Sequence, residues 1–135
     1  MSDSSIAFDQ AASYYDDTRG FPPGIDREVG AFIANAGGLD ANSQVLEIGI
    51  GTGRIALPLA AHVGGIVGVD LAIPMMQRLR HKRQAYAGRI DLIQGDILQL
   101  PLADASFDAG LMVHILHLVP DPQQAVRELA RVLKP

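Results

Sequence analysis

A chain of 135 residues, 48% apolar and 19% charged, is the size of one ordinary globular domain, able to bury about two-thirds of the surface its unfolded form exposes. The lack of cysteine excludes disulfides and thiolate metal sites and fits a reducing compartment. A net charge of −4 argues against a general polyanion binder such as a nucleic-acid protein, and no apolar run reaches the roughly 20 residues that span a bilayer. Met1-Ser2-Asp3-Ser4-Ser5 also lacks the basic region leading into an apolar one that marks a secretory signal. The expected setting is therefore cytoplasmic.

In chain order, a polar stretch with a few aromatics, Tyr14 and Tyr15 among them, runs to about residue 20 and is punctuated by Phe21-Pro22-Pro23-Gly24. Ile25, Val29, Phe32, Ile33 and Ala36 then recur at helical spacing, and Gly37-Gly38 supplies a stop. From there short apolar runs alternate with helical stretches. Strands are expected over Gln44 to Ile48, Ile66 to Val69, Ile90 to Ile93 and Phe107 to Ile115, with helices at about 53–62, 74–86 and 122–133.

Local chemistry supports these helices. Pro74 suits a first turn, with Met75, Met76, Leu79 and Tyr86 as the inner stripe. Pro58 falls about one turn into its helix, where a tolerated kink is expected. Asp121, Pro122 and Gln124 read as N-cap, first residue and third position of a capping box, ahead of a stripe of Ala125, Val126, Leu129, Val132 and Leu133. The basic run Arg78-Leu79-Arg80-His81-Lys82-Arg83 spreads around a helix and reads as a solvated face before a nucleic-acid patch.

Alternating strands and helices with nearly all-apolar strands imply a parallel sheet covered on both faces by right-handed crossovers. Such sheets bind ligands at the carboxyl ends of their strands, where strand order reverses. The first strand ends in Glu47-Ile48, and Gly49-Ile50-Gly51-Thr52-Gly53 stands just beyond it. Glycines there let a ligand approach the backbone, and the following helix would offer N–H groups and a positive dipole end to something polar or anionic. The dinucleotide pattern G-x-G-x-x-G/A fits poorly from Gly49, because its third position is Arg54; counted from Gly51 it falls on Ala56.

Three acidic residues sharpen the reading. Glu47 precedes the glycines, Asp70 ends the second strand, and Asp96 follows the third. In a parallel sheet all lie at one edge. A carboxylate after the second strand can accept both hydroxyls of a ribose, and one after the third an exocyclic amine. The competing reading is that Asp70 and Asp96 only cap turns.

On these motifs the chain resembles the class I S-adenosylmethionine-dependent methyltransferases, from about Gln44 to Pro135. The resemblance implies an α/β, Rossmann-like three-layer sandwich with a mostly parallel sheet, ending after the fourth strand and its helix. It also divides the chain into an N-terminal helical segment, 1–43, covering the cofactor site, and a cofactor-binding domain, 44–135. Gly49, Gly51 and Gly53 look like the first family motif, which approaches the amino acid part of the cofactor. Asp70 looks like the acidic residue on the ribose, and Leu71 to Met75 like the lead to the adenine, with Ala72 where serine is frequent. Gly95-Asp96-Ile97, then Leu100-Pro101, resembles the adenine-binding segment. Leu118-Val119-Pro120-Asp121 and Leu133-Lys134-Pro135 resemble the exit from the fourth strand and the lead into a fifth. Tyr14 and Arg19 match, more loosely, residues that close the site; packing or surface roles compete.

The implied reaction transfers a methyl group in line to a small-molecule acceptor, with orientation supplying much of the acceleration. His114 and His117 are candidate general bases, His114 also a cofactor contact, against structural roles for either. Their spacing suggests a metal pair only weakly, since no third ligand stands at a telling distance, and no metal is expected. A fourth strand at the edge of the sheet would leave N–H and C=O groups unpaired, so self-association, a rearranged segment or a partner is expected to cover it. A module that binds cofactor without turnover, and a nicotinamide-binding domain, remain the alternatives.

Overall fold

Apolar strands bounded by glycine turns fold here into one parallel sheet, seen in a computed structural model that describes residues 22, 24–113 and 115–135. Tyr14, Arg19 and His114 lie outside the described residues. The elements are α1 (Ile25–Ala36), β1 (Gln44–Ile48), α2 (Ala56–Ala60), β2 (Gly65–Asp70), α3 (Ile73–Lys82), β3 (Ile90–Gln94), β4 (Ala109–Leu111) and α4 (Pro122–Val132), with 3-10 turns at Arg83–Ala85 and Leu116–Leu118.

The strand order is β3-β2-β1-β4. Every pair is parallel, in a register that aligns Val45 with Ile66 and Ala109, and Ile66 with Ile90. Successive strands are added on one side of β1 until β4 returns to the other, so the reversal that opens a crevice lies at the carboxyl end of β1. The period of two sends alternate side chains to opposite faces. Val45, Ile66 and Ile90 pack with Leu57, Leu59, Met76 and Leu79, whereas Leu46, Ile48 and Val69 pack with Leu100, Phe107, Leu129 and Val132. Each fully buried aliphatic side chain contributes about 1.5–3 kcal/mol, so the two faces fix the sheet between its helical layers.

The helices show where periodicity succeeds and where it does not. A Cβ on Gly30 would lie 2.3 Å from the carbonyl oxygen of Pro58; α1 therefore meets α2 backbone to backbone. That contact centres the buried stripe on Gly30 and Ala34 and turns Phe32 outward, 71% exposed, where the sequence pattern placed it inside. Pro58 sits in the first turn of the short helix α2, where its missing N–H would have found no acceptor within the helix anyway, so it starts the helix where a kink was expected. Met75, Met76 and Leu79 are buried as anticipated, and Tyr86 donates to Asp26 at 2.7 Å.

The fourth strand is shorter than its apolar run. Only Ala109–Leu111 pairs with β1, and Phe107 instead forms an isolated parallel bridge with Leu133. Lys134 donates its N–H to the Phe107 carbonyl at 2.9 Å, and the Phe107 N–H reaches the Val132 carbonyl at 3.0 Å. The start of the β4 edge is thus covered by the chain's own continuation beyond α4.

Candidate functional site

At the carboxyl ends of the strands the chain gathers Glu47, the glycine turn, Asp70 and Asp96, which the sequence pattern placed at one edge. Gly49, Gly51 and Gly53 all take left-handed backbone angles, with φ of 71°, 58° and 80°. Their missing side chains serve different ends. A Cβ on Gly53 would fall 2.7 Å from Leu79 and 3.1 Å from Leu57, and one on Gly49 2.8 Å from Ile115, so packing fills both spaces. At Gly51 the nearest atom would be Cε of Met75 at 3.8 Å. That is ordinary van der Waals contact, so Gly51 is the least crowded of the three.

The amides of the turn are already committed. Gly49 donates to the Val69 carbonyl at 2.7 Å, Gly53 to the Ile50 carbonyl at 3.1 Å, and Gly51 to Oδ2 of Asp70 at 2.8 Å. The donors expected for an anion were those of the following helix; the glycine amides themselves spend theirs holding the turn together. What the rim presents is acidity.

Asp70 is fixed by its own backbone contacts, since Oδ1 also accepts the Ala72 N–H at 2.9 Å. The capping role is therefore real, and it aims the carboxylate. Gly95 donates to the Asp70 carbonyl at 3.0 Å, tying the end of β3 to the end of β2. Asp96 is exposed, and its Oδ1 accepts the Leu98 N–H at 2.9 Å.

Glu47 is the unusual group. It is 3% exposed, and its Oε1 is buried without a hydrogen-bond partner among the described residues. Burial pushes its pKa up to about 8, the negative charge of Asp70 adds to the rise, and the Arg54 guanidinium offsets part of it. An orphaned carboxyl oxygen of this kind is costly unless a ligand group completes it. Arg54 entered the sequence pattern only as a misfit to the dinucleotide motif; its position next to the last glycine was the available signal for this electrostatic role.

The remaining sequence candidates divide. Met75 is 2% exposed and lines the approach to Gly51, while Leu71 is half-buried at the end of β2. Ile97 packs into the core face beneath β2, together with Val69 and Leu100. His117 is exposed on the 3-10 turn Leu116–Leu118 that follows Ile115, the residue seated on Gly49.

Residues 46–135 match the methyltransferase domain family. The chain is 34% identical over 134 residues to the ubiquinone/menaquinone biosynthesis C-methyltransferase UbiE of Geotalea daltonii, covering 95% of this chain and 57% of that protein. It superposes on the CcbJ methyltransferase of Streptomyces caelestis with a TM-score of 0.78 at 32% identity, covering 98% of this chain and 55% of the other. A further neighbour is the [4+2]-cyclase SpnF, with a TM-score of 0.71, 28% identity, and coverage of 81% and 42%. The chain belongs to the class I S-adenosylmethionine-dependent methyltransferase family. It has the Rossmann-like fold of that family and spans a little over half the length of UbiE. Among the described residues no helix is long and apolar enough to cross a membrane.

Proposed function

We propose that this chain binds S-adenosylmethionine across the acidic rim and takes part in transferring its methyl group to a small-molecule acceptor. One observation supports this most: the glycine amides are spent internally while Glu47, Asp70 and Asp96 converge on the same edge. A diphosphate needs free N–H donors and repels carboxylates. A ligand carrying an ammonium, a sulfonium, ribose hydroxyls and an exocyclic amine brings donors and positive charge to a rim of carboxyl groups. The residues fit the group on structural grounds as well, because Glu47 holds a buried oxygen with no partner among the described residues and Gly51 is the least crowded glycine of the turn.

In this reading Gly49, Gly51, Gly53 and Glu47 serve the amino acid end, Asp70 takes the ribose hydroxyls, and Leu71, Met75, Asp96 and Ile97 flank the adenine. The bound cofactor supplies an electrophilic methyl group. The chain's own contribution is orientation, together with a base, His114 or His117, that takes the proton of a hydroxyl or ammonium acceptor at an imidazole nitrogen. Tyr14 and Arg19, in the 1–43 segment, close the site. The absence of cysteine suits a cytoplasmic setting, and a β4 edge that no further described strand pairs suits a homo-oligomer, which light scattering after size-exclusion chromatography would test.

Calorimetry with S-adenosylhomocysteine and with a nicotinamide dinucleotide is the direct test. Binding of the first and not the second is expected; the reverse order would defeat the proposal. A second reading, cofactor binding without methyl transfer, draws support from the structural similarity to a protein described as a [4+2]-cyclase. Labelled methyl transfer across an acceptor panel separates the two.

A further inference from the structure

The segment after β3 is held from below by a polar ladder on α4 that the site described above does not include. Gln124, Glu128 and Arg131 follow one another at helical spacing on α4, so they share a face. Gln124 Nε2 donates to the Leu98 carbonyl at 3.0 Å. Four residues on, Oε1 of Glu128 accepts the Leu100 N–H at 2.7 Å. Arg131 then donates through Nη2 to the Leu100 carbonyl at 3.1 Å, and through Nη1 to the Leu102 carbonyl at 2.8 Å and to Oδ1 of Asp104 at 2.6 Å. Every second residue from Leu98 to Asp104 is therefore held, the last three of the four by Arg131.

The rungs are themselves braced. Arg131 Nε donates to Oε2 of Glu128 at 2.7 Å and Nη2 to Oε1 at 3.2 Å, a forked pair in which the Glu128 side chain is only 11% exposed. The Arg131 hydrogen bonds hold the Glu128 carboxyl below its ordinary range, so the acceptor that takes the Leu100 N–H stays ionised. The periodicity of α4 predicted Val126 on the inner stripe, yet Val126 is 46% exposed and Glu128 is buried. A helix that buries a glutamate and turns a valine to solvent is arranged around the loop it holds.

The upper end of that loop is Asp96-Ile97, with Asp96 at the rim and bonded to the Leu98 N–H. The other end of the same turn is fixed when Gln99 donates to the Asp96 carbonyl at 3.1 Å. The position of the Asp96 carboxylate is therefore set through Leu98 and Leu100 by α4. Resting on the proposed cofactor reading, we infer that Gln124, Glu128 and Arg131 are positioning residues that place Asp96 against the exocyclic amine of the nucleobase and so set adenine selectivity. None of them touches the ligand.

The test compares S-adenosylhomocysteine with S-inosylhomocysteine, which carries a carbonyl where the amine stands, on the whole chain by calorimetry. Wild type should prefer the adenine compound by at least tenfold. Gln124→Ala and Arg131→Lys, both changes at partly exposed side chains, should fold and should weaken the adenine compound several-fold while moving the inosine compound less than twofold. Glu128→Ala should collapse the preference, and Glu128→Gln, which retains an acceptor for the Leu100 N–H, should recover part of it. Equal loss for both compounds, or an unchanged ratio in folded variants, overturns the positioning role and leaves the cofactor reading intact. If wild type binds neither compound, the cofactor reading itself fails and this inference with it.

Discussion

The two ends of one sheet treat their polar groups in opposite ways. At the amino ends they are paired: Asp108 accepts the Gln44 N–H at 2.8 Å and the Lys134 ammonium at 3.2 Å, and Arg83 donates to the Ile90 carbonyl at 2.9 Å. At the carboxyl ends Glu47 is buried beside Asp70 with an oxygen that has no partner among the described residues. An edge whose polar groups satisfy one another stabilises the fold. An edge that leaves a buried carboxyl unsatisfied gives up stability to ligand recognition. If this contrast is right, changes at the two ends should separate stability from binding.

Glu47 offers the largest separation. Its carboxyl is held at about 8 when folded, against 4.5 in the unfolded chain. Below pH 4.5 both states are protonated; between these values the unfolded state releases its proton and the folded state does not. Wild-type stability should therefore fall as pH rises through that window, on the order of 3–5 kcal/mol. Glu47→Gln has no proton to lose, so the stability of wild type relative to the variant should decline with pH in urea unfolding series. A constant difference from pH 4 to 8.5 would mean that the carboxyl is not desolvated, and the contrast between the ends would lose its main support.

The glycines sharpen the comparison within the turn itself. Gly53→Ala combines a φ of 80° with a Cβ 2.7 Å from Leu79, and should cost roughly 2–4 kcal/mol from backbone strain plus overpacking. Gly51→Ala meets only ordinary van der Waals contact, with Met75 at 3.8 Å, and should cost only about 1–2 kcal/mol of strain, yet its methyl group occupies the approach to the backbone. The expected pattern is greater loss of stability at Gly53 and greater loss of cofactor affinity at Gly51, read from urea midpoints and calorimetry on the same samples.

These distinctions mark what the sequence could reveal. Apolar runs and glycine punctuation place β1, β2 and β3 to within a residue, and the acidic residues fall on one edge because parallel strands leave no alternative. The end of β4 was not legible. Its apolar run continues through Met112 and Ile115, but Ile115 leaves the sheet to fill the space over Gly49, and composition does not distinguish a strand from a buried crossing loop. Nor was the capping box: Asp121 accepts the Gln124 N–H at 3.0 Å as expected, whereas the Gln124 side chain goes to Leu98 and Arg127. The site presented the same difficulty. Three glycines look alike as letters, and only the positions of Leu79, Ile115 and Met75 show which of them is least crowded.

Asp70 should give a smaller effect that joins the two properties. On the proposed reading, Asp70→Ala deprives the ribose hydroxyls of an acceptor, and cofactor affinity should fall at least tenfold, about 1.4 kcal/mol. The same change orphans the Gly51 N–H, so stability should fall by about 1–3 kcal/mol. Loss of stability alone, with affinity unchanged, would reduce Asp70 to a turn cap.

The smallest effect belongs to the paired end. Asp108 is held below its usual 3.8 chiefly by the Gln44 N–H and then by Lys134. A lowered carboxyl pKa stabilises the fold above the unfolded value, and that contribution disappears as pH drops through the folded value. Asp108→Asn should therefore be slightly less stable than wild type at pH 7, with the difference closing below about pH 3.8. Because Asp108 sits at the far end of the sheet from Asp70, cofactor affinity should be unaltered at every pH where the variant is folded. A shift in affinity here would mean that the amino and carboxyl ends are coupled through β1, and that stability and recognition share the strand instead of dividing it.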